Sequence, residues 1–198
     1  MSGPFTGPAG ATGLNPKAEP TYGGAVETRR LRHTVAFIGE TLSGPVLDIG
    51  PANGFSRELG EHFRVEIVNT DGDFDYSDWR PLGPTPPGGF GAVFAFEVIE
   101  HMMNPLLFLT RLREHCDPRT RVFVTYPLRP RVFWSDFHWH EIDRRRFRFL
   151  LEQAGYEPVR YREVGVRREW SFYFTGLRPF LRLTVGRIKL QVHELKLR

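Results

Sequence analysis

The run Val46-Leu47-Asp48-Ile49-Gly50-Pro51-Ala52-Asn53-Gly54 constrains the fold more than any other stretch of the chain. An apolar, strand-like segment ends in an acid, a glycine-bearing loop follows, and a helical pattern opens at Phe55. Strand, tight loop and helix in that order build a ligand crevice at the carboxyl edge of a parallel sheet. Gly50 and Gly54 admit backbone angles closed to other residues and let a ligand come close to the main chain. The loop matches neither the dinucleotide fingerprint Gly-x-Gly-x-x-Gly nor the lysine-bearing phosphate loop. It holds no lysine to meet a phosphate, and the acid before it favours a cationic ligand instead.

Around this run the periodicity alternates between helix and strand. Val26, Leu31, Val35, Ile38 and Leu42 recur at helical spacing, with Arg29, Arg30 and Arg32 between them, and predict a helix over 25–42 stopped by Ser43-Gly44-Pro45. A second strand is read at 65–70, ending at Asp71, followed by Asp73 and Asp75. Gly91 to Phe96 is a continuous apolar run, the mark of a buried central strand. Only 22 residues separate Asp71 from Phe94, and Gly83-Pro84-Thr85-Pro86-Pro87-Gly88-Gly89 occupies part of them, so a crossover helix there is missing or reduced. Asn104-Pro105 reads as a cap and first residue of the next helix. A fifth strand is expected at 121–126, a helix from Ile142 to a stop at Gly155, a strand at 159–162 and a final alternating strand at 187–197.

Two strings then carry a family resemblance. Asp48-Ile49-Gly50-Pro51-Ala52-Asn53-Gly54 resembles the D-x-G-x-G-x-G motif of the class I S-adenosylmethionine-dependent methyltransferases, with Ala52 at the usual middle glycine. Glu97-Val98-Ile99-Glu100-His101, leading to Asn104-Pro105, resembles the fourth-strand motif of small methyltransferases such as those of quinone biosynthesis. The resemblance implies a Rossmann-like, doubly wound α/β fold: a seven-stranded, mostly parallel sheet with the last strand antiparallel and the helix between the second and third strands reduced. It implies S-adenosyl-L-methionine as cofactor, held by Asp48, Gly50, Ala52, Asn53 and Gly54 of the loop. Asp71 would take the ribose hydroxyls, though the assignment could slip to Asp73 or Asp75. Asp78 and Trp79 would flank adenine, and Phe96 and Glu97 would border the methionine end. His101 would sit at the mouth, near the transferring methyl, as the catalytic base. Methylation of an oxygen on a small-molecule or lipid-like acceptor is the implied reaction. A nucleic-acid methyltransferase and a non-catalytic cofactor-binding protein are the alternatives.

Metal-type donors occur twice. Glu97, Glu100 and His101 lack a further ligand nearby, and His138, His140 and Glu141 are equally explained as part of an aromatic lid over the substrate, so no metal is assigned. Residues 129–131 are expected to line the acceptor pocket.

Composition sets the remaining bounds. Residues 1–100 carry 7 basic and 13 acidic side chains, and residues 101–198 carry 20 and 10. An acidic half suits a sulfonium donor. A basic half could meet an anionic acceptor, a nucleic acid or an anionic membrane. No nucleic-acid-binding module is recognisable, so a nucleic-acid partner is not expected, whereas Arg-flanked aromatics over 164–186 leave peripheral membrane contact open. A single cysteine, Cys116, excludes an internal disulfide and fits a cytoplasmic setting. Residues 1–24, rich in Gly and Pro, read as a flexible tail without signal-peptide features, and 25–198 as the methyltransferase domain.

Overall fold

Val46, Leu47 and Asp48 are all buried and form the short strand β1 (Val46–Asp48), which is hydrogen-bonded to a parallel neighbour on each side. The computed structural model describes residues 25–73, 78–128, 138–165, 174–177, 180 and 189–198. The predicted tail over 1–24, residues 129–131 and most of 164–186 lie outside these. The elements follow in the order α1 (Ala25–Ile38), β1, α2 (Gly54–Phe63), β2 (Ile67–Asp73), β3 (Asp78–Pro81), β4 (Ala92–Phe96), a 3-10 turn (Ile99–His101), α3 (Pro105–Arg113), β5 (Arg121–Leu128), α4 (Arg144–Ala154), β6 (Tyr156–Gly165) and β7 (Lys189–Leu197). They make one seven-stranded sheet in the order β3-β2-β1-β4-β5-β7-β6.

Alternation along the central strands divides the core into two layers. Leu47, Val93, Ala95, Val122 and Val124 face one cluster, completed by Phe108, Leu109 and Leu112 of α3 and Phe147, Leu150 and Leu151 of α4. Val46, Ala92, Phe94 and Phe123 face the other, completed by Phe37 and Ile38 of α1 and Leu59 and Phe63 of α2. Helices on both faces of a mainly parallel sheet are the doubly wound arrangement expected from the sequence.

Two element limits shift in ways that shape the site, and the stretch where a crossover helix was expected to be missing or reduced takes its own form. Helix α1 ends at Ile38 rather than near Leu42, because Gly39 takes a positive φ of 105° and its N–H closes on the Val35 carbonyl at 3.0 Å. Strand β2 runs on to Asp73, past the three residues that pair with β1. That overhang pairs with β3 in antiparallel register, Asp71 with Arg80 and Asp73 with Asp78. The crossover helix expected to be missing or reduced is absent from the described residues between β2 and β4; β2 and β3 form a β-hairpin, and β3 as well as β7 is reversed. Gly72 permits it: its φ is 129°, and a Cβ there would lie 2.1 Å from the Asp78 carbonyl oxygen.

Candidate functional site

The carboxyl ends of β1, β2 and β4 converge on the loop after Asp48. The Ile49 N–H donates to the Phe94 carbonyl at 2.9 Å, so the chain leaves β1 still tied to β4. At Gly50 the φ of 140° turns it sharply, and a Cβ added there would meet nothing within 4 Å. Residue 50 thus fronts open space, with a backbone angle that L side chains rarely adopt. Thr70 of β2 secures the turn from the other side. Its buried hydroxyl accepts the Gly50 N–H at 2.8 Å, and its own N–H donates to the Gly50 carbonyl at 3.1 Å. Ala52 is exposed at the loop tip. Asn53 starts α2 by accepting the Ser56 N–H at 2.9 Å, an N-cap that leaves Gly54 as the first helical residue.

Asp48 is 6% exposed and faces no cation among its described contacts. Its Oδ2 accepts from the Ser56 hydroxyl and, at 3.2 Å, from the Asn69 amide. Burial pushes its carboxyl up to about 6, against the downward pull of the bonds from Ser56 and Asn69. Neutral hydrogen bonds offset only part of the desolvation cost of a buried carboxylate.

The end of β4 supplies the facing wall. Glu97 has φ 56°, a left-handed conformation that is costly for a non-glycine residue. Thr125 over-determines it, since the Glu97 N–H reaches both the Thr125 carbonyl and its hydroxyl at 3.0 Å. The Glu97 carboxylate meets the Arg30 guanidinium of α1 at 2.6 Å. That guanidinium also lies 5.8 Å from the centre of the Phe55 ring, which packs edge-on against Phe96. Arg30, Phe55, Phe96 and Glu97 therefore join α1, α2 and β4 beside the loop.

The hairpin carries the remaining predicted positions. Asp71 is exposed, and its Oδ1 accepts the Gly72 N–H at 2.8 Å. Asp78 is exposed and 3.7 Å from Arg111 of α3. The Trp79 ring is a core side chain, 5% exposed and packed against Phe108 and His115. The hydrophobic layer beneath a short edge strand claims the largest apolar side chain available to it.

His101 closes the 3-10 turn after β4, half-buried, with its ring edge-on to His138 at 4.9 Å. Asn104 caps α3 by accepting the Leu107 N–H at 3.0 Å, with Pro105 as first helical residue. A cavity of about 460 Å³ opens beside them, lined by Pro105, His138, Trp139, Glu141, Arg146 and Leu150 among others. A separate hollow of about 350 Å³, between α4, β6 and His193, is lined by none of the loop's residues.

The structure thus gathers Asp48, Gly50, Ala52, Asn53, Gly54, Phe96 and Glu97 at one sheet edge, with Asp71 on the overhanging hairpin. Arg30, Asn69, Thr70 and Thr125 escaped the sequence reading. Arg30 stands in a helix among other arginines and carries no local sign that it crosses to Glu97. Asn69 and Thr70 follow the apolar run of β2 and could have been found as polar residues where a strand meets a ligand edge.

Many solved structures share this fold, and three illustrate it. Phosphoethanolamine N-methyltransferase 2 of Haemonchus contortus, in complex with S-adenosyl-L-methionine, superposes with a TM-score of 0.59 at 10% identity, over 85% of this chain and 52% of that one. The chain therefore spans about half the length of that protein. The StiE O-MT fragment matches with a TM-score of 0.55 at 16% identity, covering 87% of this chain and 75% of that one. The cyclase SpnF matches with a TM-score of 0.55 at 15% identity, covering 86% and 82%. At these identities the likeness is one of fold. No curated protein matches the chain. Residues 24–161, well over half of the 198, match the family described as a methyltransferase domain. With its fold and its acid-tipped glycine loop, the chain belongs to that methyltransferase domain family.

Proposed function

We propose that this chain transfers a methyl group from S-adenosyl-L-methionine to an oxygen of a small or lipid-like acceptor. The observation that carries the reading is the buried Asp48 carboxylate, which has no cation beside it among the described residues and sits next to a loop with open space in front of Gly50. Such an acid calls for a positively charged ligand. When bound, the donor supplies a methyl group on a sulfonium; the rest of the task falls to the chain. Asp48 offers its carboxylate to the donor's positive charge, and Asp71 offers a bidentate acceptor to ribose hydroxyls. Arg30 and Glu97 present opposite charges 2.6 Å apart, a matched pair for the carboxylate and ammonium of a zwitterionic amino acid. Exchanging one ion pair for two avoids leaving either charge bare.

His101 would accept the proton from the acceptor oxygen, because its ring stands at the mouth of β4 and imidazole titrates near neutrality. The fold alone does not impose this chemistry, since a cyclase shares it. The oxygen preference rests on His101 and the Glu97-Val98-Ile99-Glu100-His101 string.

Calorimetry with S-adenosyl-L-methionine and its demethylated product, followed by incubation of labelled donor with fractionated cell extract, tests the reading. Donor binding with label passing to a lipid or small-molecule fraction supports it. His101→Ala should lower the transfer rate by about 10²–10⁴-fold while donor affinity stays within twofold. Absence of donor binding would discard the proposal, and label in a nitrogen-linked product would discard the oxygen preference.

A further inference from the structure

Two stretches of the chain each hold an incomplete set of metal-type donors, and the fold brings them into contact. Glu100 and His101 come from the 3-10 turn after β4, and His138 from the segment before α4. Each places one ligand atom within 4.8 Å of the other two. The His140 N–H donates to the Glu100 carbonyl at 3.2 Å and clips the second segment onto the first. Glu100 is only 2% exposed. From these contacts we propose that Glu100, His101 and His138 bind a divalent transition-metal ion.

Four observations define the site. Two imidazoles and one carboxylate are the three-ligand set of open divalent centres, which keep a further position for water or substrate. Behind His138 stands Glu141, with Oε1 2.9 Å from Nδ1 and both side chains at most 10% exposed. A carboxylate on one ring nitrogen fixes the tautomer and leaves the lone pair on the other, the arrangement that orients metal-bound histidines. Metal–ligand bonds of about 2.0–2.2 Å keep donors roughly 3–3.5 Å apart, so the cluster needs only a small side-chain closure. Lastly, the 460 Å³ cavity is lined by His138 and Glu141, which gives an ion and an oxygen ligand a way in.

The neighbouring candidates are otherwise engaged. His140 has its Nε2 3.1 Å from the Met103 carbonyl oxygen, and Glu97 is held by Arg30. The assignment stands whether or not the chain transfers methyl groups. If it does, a bound ion would occupy the His101 lone pair and take over from the free imidazole the role of drawing in the acceptor oxygen and favouring its deprotonated form.

The test uses the full chain, stripped with a chelator and titrated with Co²⁺ and Zn²⁺. Calorimetry gives the stoichiometry, and the visible absorption of Co²⁺ reports its ligand set. One equivalent is expected, with affinity falling at least about 100-fold in Glu100→Gln and His138→Asn, and about 10–100-fold in Glu141→Gln. His140→Asn should bind as the parent does. Circular dichroism and binding of S-adenosylhomocysteine separate a lost ligand from a lost fold, and Glu141→Gln leaves the proposal falsifiable if Glu100→Gln misfolds. A parent chain without a one-equivalent site overturns the inference, as does equal loss in His138→Asn and His140→Asn. A chain that binds the donor but no metal sinks this inference alone, and one that binds metal but no donor sinks only the proposed function.

Discussion

Two buried acids in one cross-strand row of the sheet, on either side of β4 and β5, have opposite fates. Asp48, at the end of β1, has only the neutral side chains of Ser56 and Asn69 as hydrogen-bond partners among the described residues, and burial raises its carboxyl to about 6. Glu194, on β7, is equally buried, but Arg121 reaches one of its oxygens at 2.7 Å and Arg160 the other at 2.5 Å. Burial pushes the Glu194 carboxyl up, and the hydrogen bonds and charges of the two arginines outweigh it and hold the group below its ordinary value. Arg121 also donates to the Ile38 carbonyl at 2.8 Å, so this acid ties α1 to β5, β6 and β7. The acid that ties the fold together comes with its cations, whereas Asp48, the acid proposed to meet the donor, has none among its described contacts. The β1–β2–β4 edge bears a standing cost, and the β5–β7–β6 half is where the chain stabilises itself.

Exchanging these roles is the sharpest way to break the comparison. Asp48→Asn should weaken donor binding by about 10- to 100-fold, the worth of a charged hydrogen bond, and raise unfolding free energy at pH 8 by about 1–2 kcal/mol. Glu194→Gln should do the reverse, costing about 2 kcal/mol because two arginines lose their acid, with the donor constant unchanged. Denaturant unfolding and calorimetry on both variants read the pair, and matching losses in both would dissolve the distinction.

Acidity provides the next test. Asp48 has its folded-state value raised above its unfolded one, so the folded chain takes up a proton as pH falls through about 6. A protonated Asp48 offers no negative charge, and donor affinity should fall by up to about tenfold per pH unit below that point. Stability should respond in the other direction, with the Asp48 penalty fading between about 6 and 4. Donor affinity flat from pH 8 to 5 would remove Asp48 from the binding site.

The smallest effect concerns Glu97. Its φ of 56° suits glycine, so Glu97→Gly should recover about 1 kcal/mol of stability by relieving the backbone while weakening donor binding. A destabilised Glu97→Gly would mean that the Arg30 pair contributes more than the strain costs.

Much of this was legible because it is local. The strand–acid–glycine order around Asp48 and the apolar run ending at Phe96 are contiguous, and their periods announce strands whatever surrounds them. What escaped depends on contacts between distant residues. Nothing near Trp79 announces that its ring packs on Phe108 of α3. The reversed β3 follows from the fit of Gly72 against Asp78, which no hydropathy period encodes. Arg30 and Glu97 lie 67 positions apart and find each other only after α1 has docked. Glu100 with His101 and, separately, His138 lie in stretches that the sequence reading assigned no metal; only the fold brings their ligand atoms within 4.8 Å of one another.

Reversing β3 also has a colloidal consequence. As the outermost strand of the sheet, β3 leaves a row of main-chain groups that a stray strand from another molecule could zip onto. Its four residues, Asp78-Trp79-Arg80-Pro81, answer that hazard: the run is brief, two of its members are charged, and the proline has no N–H to lend. The hairpin that replaced a crossover helix thus brings its own guard against clumping.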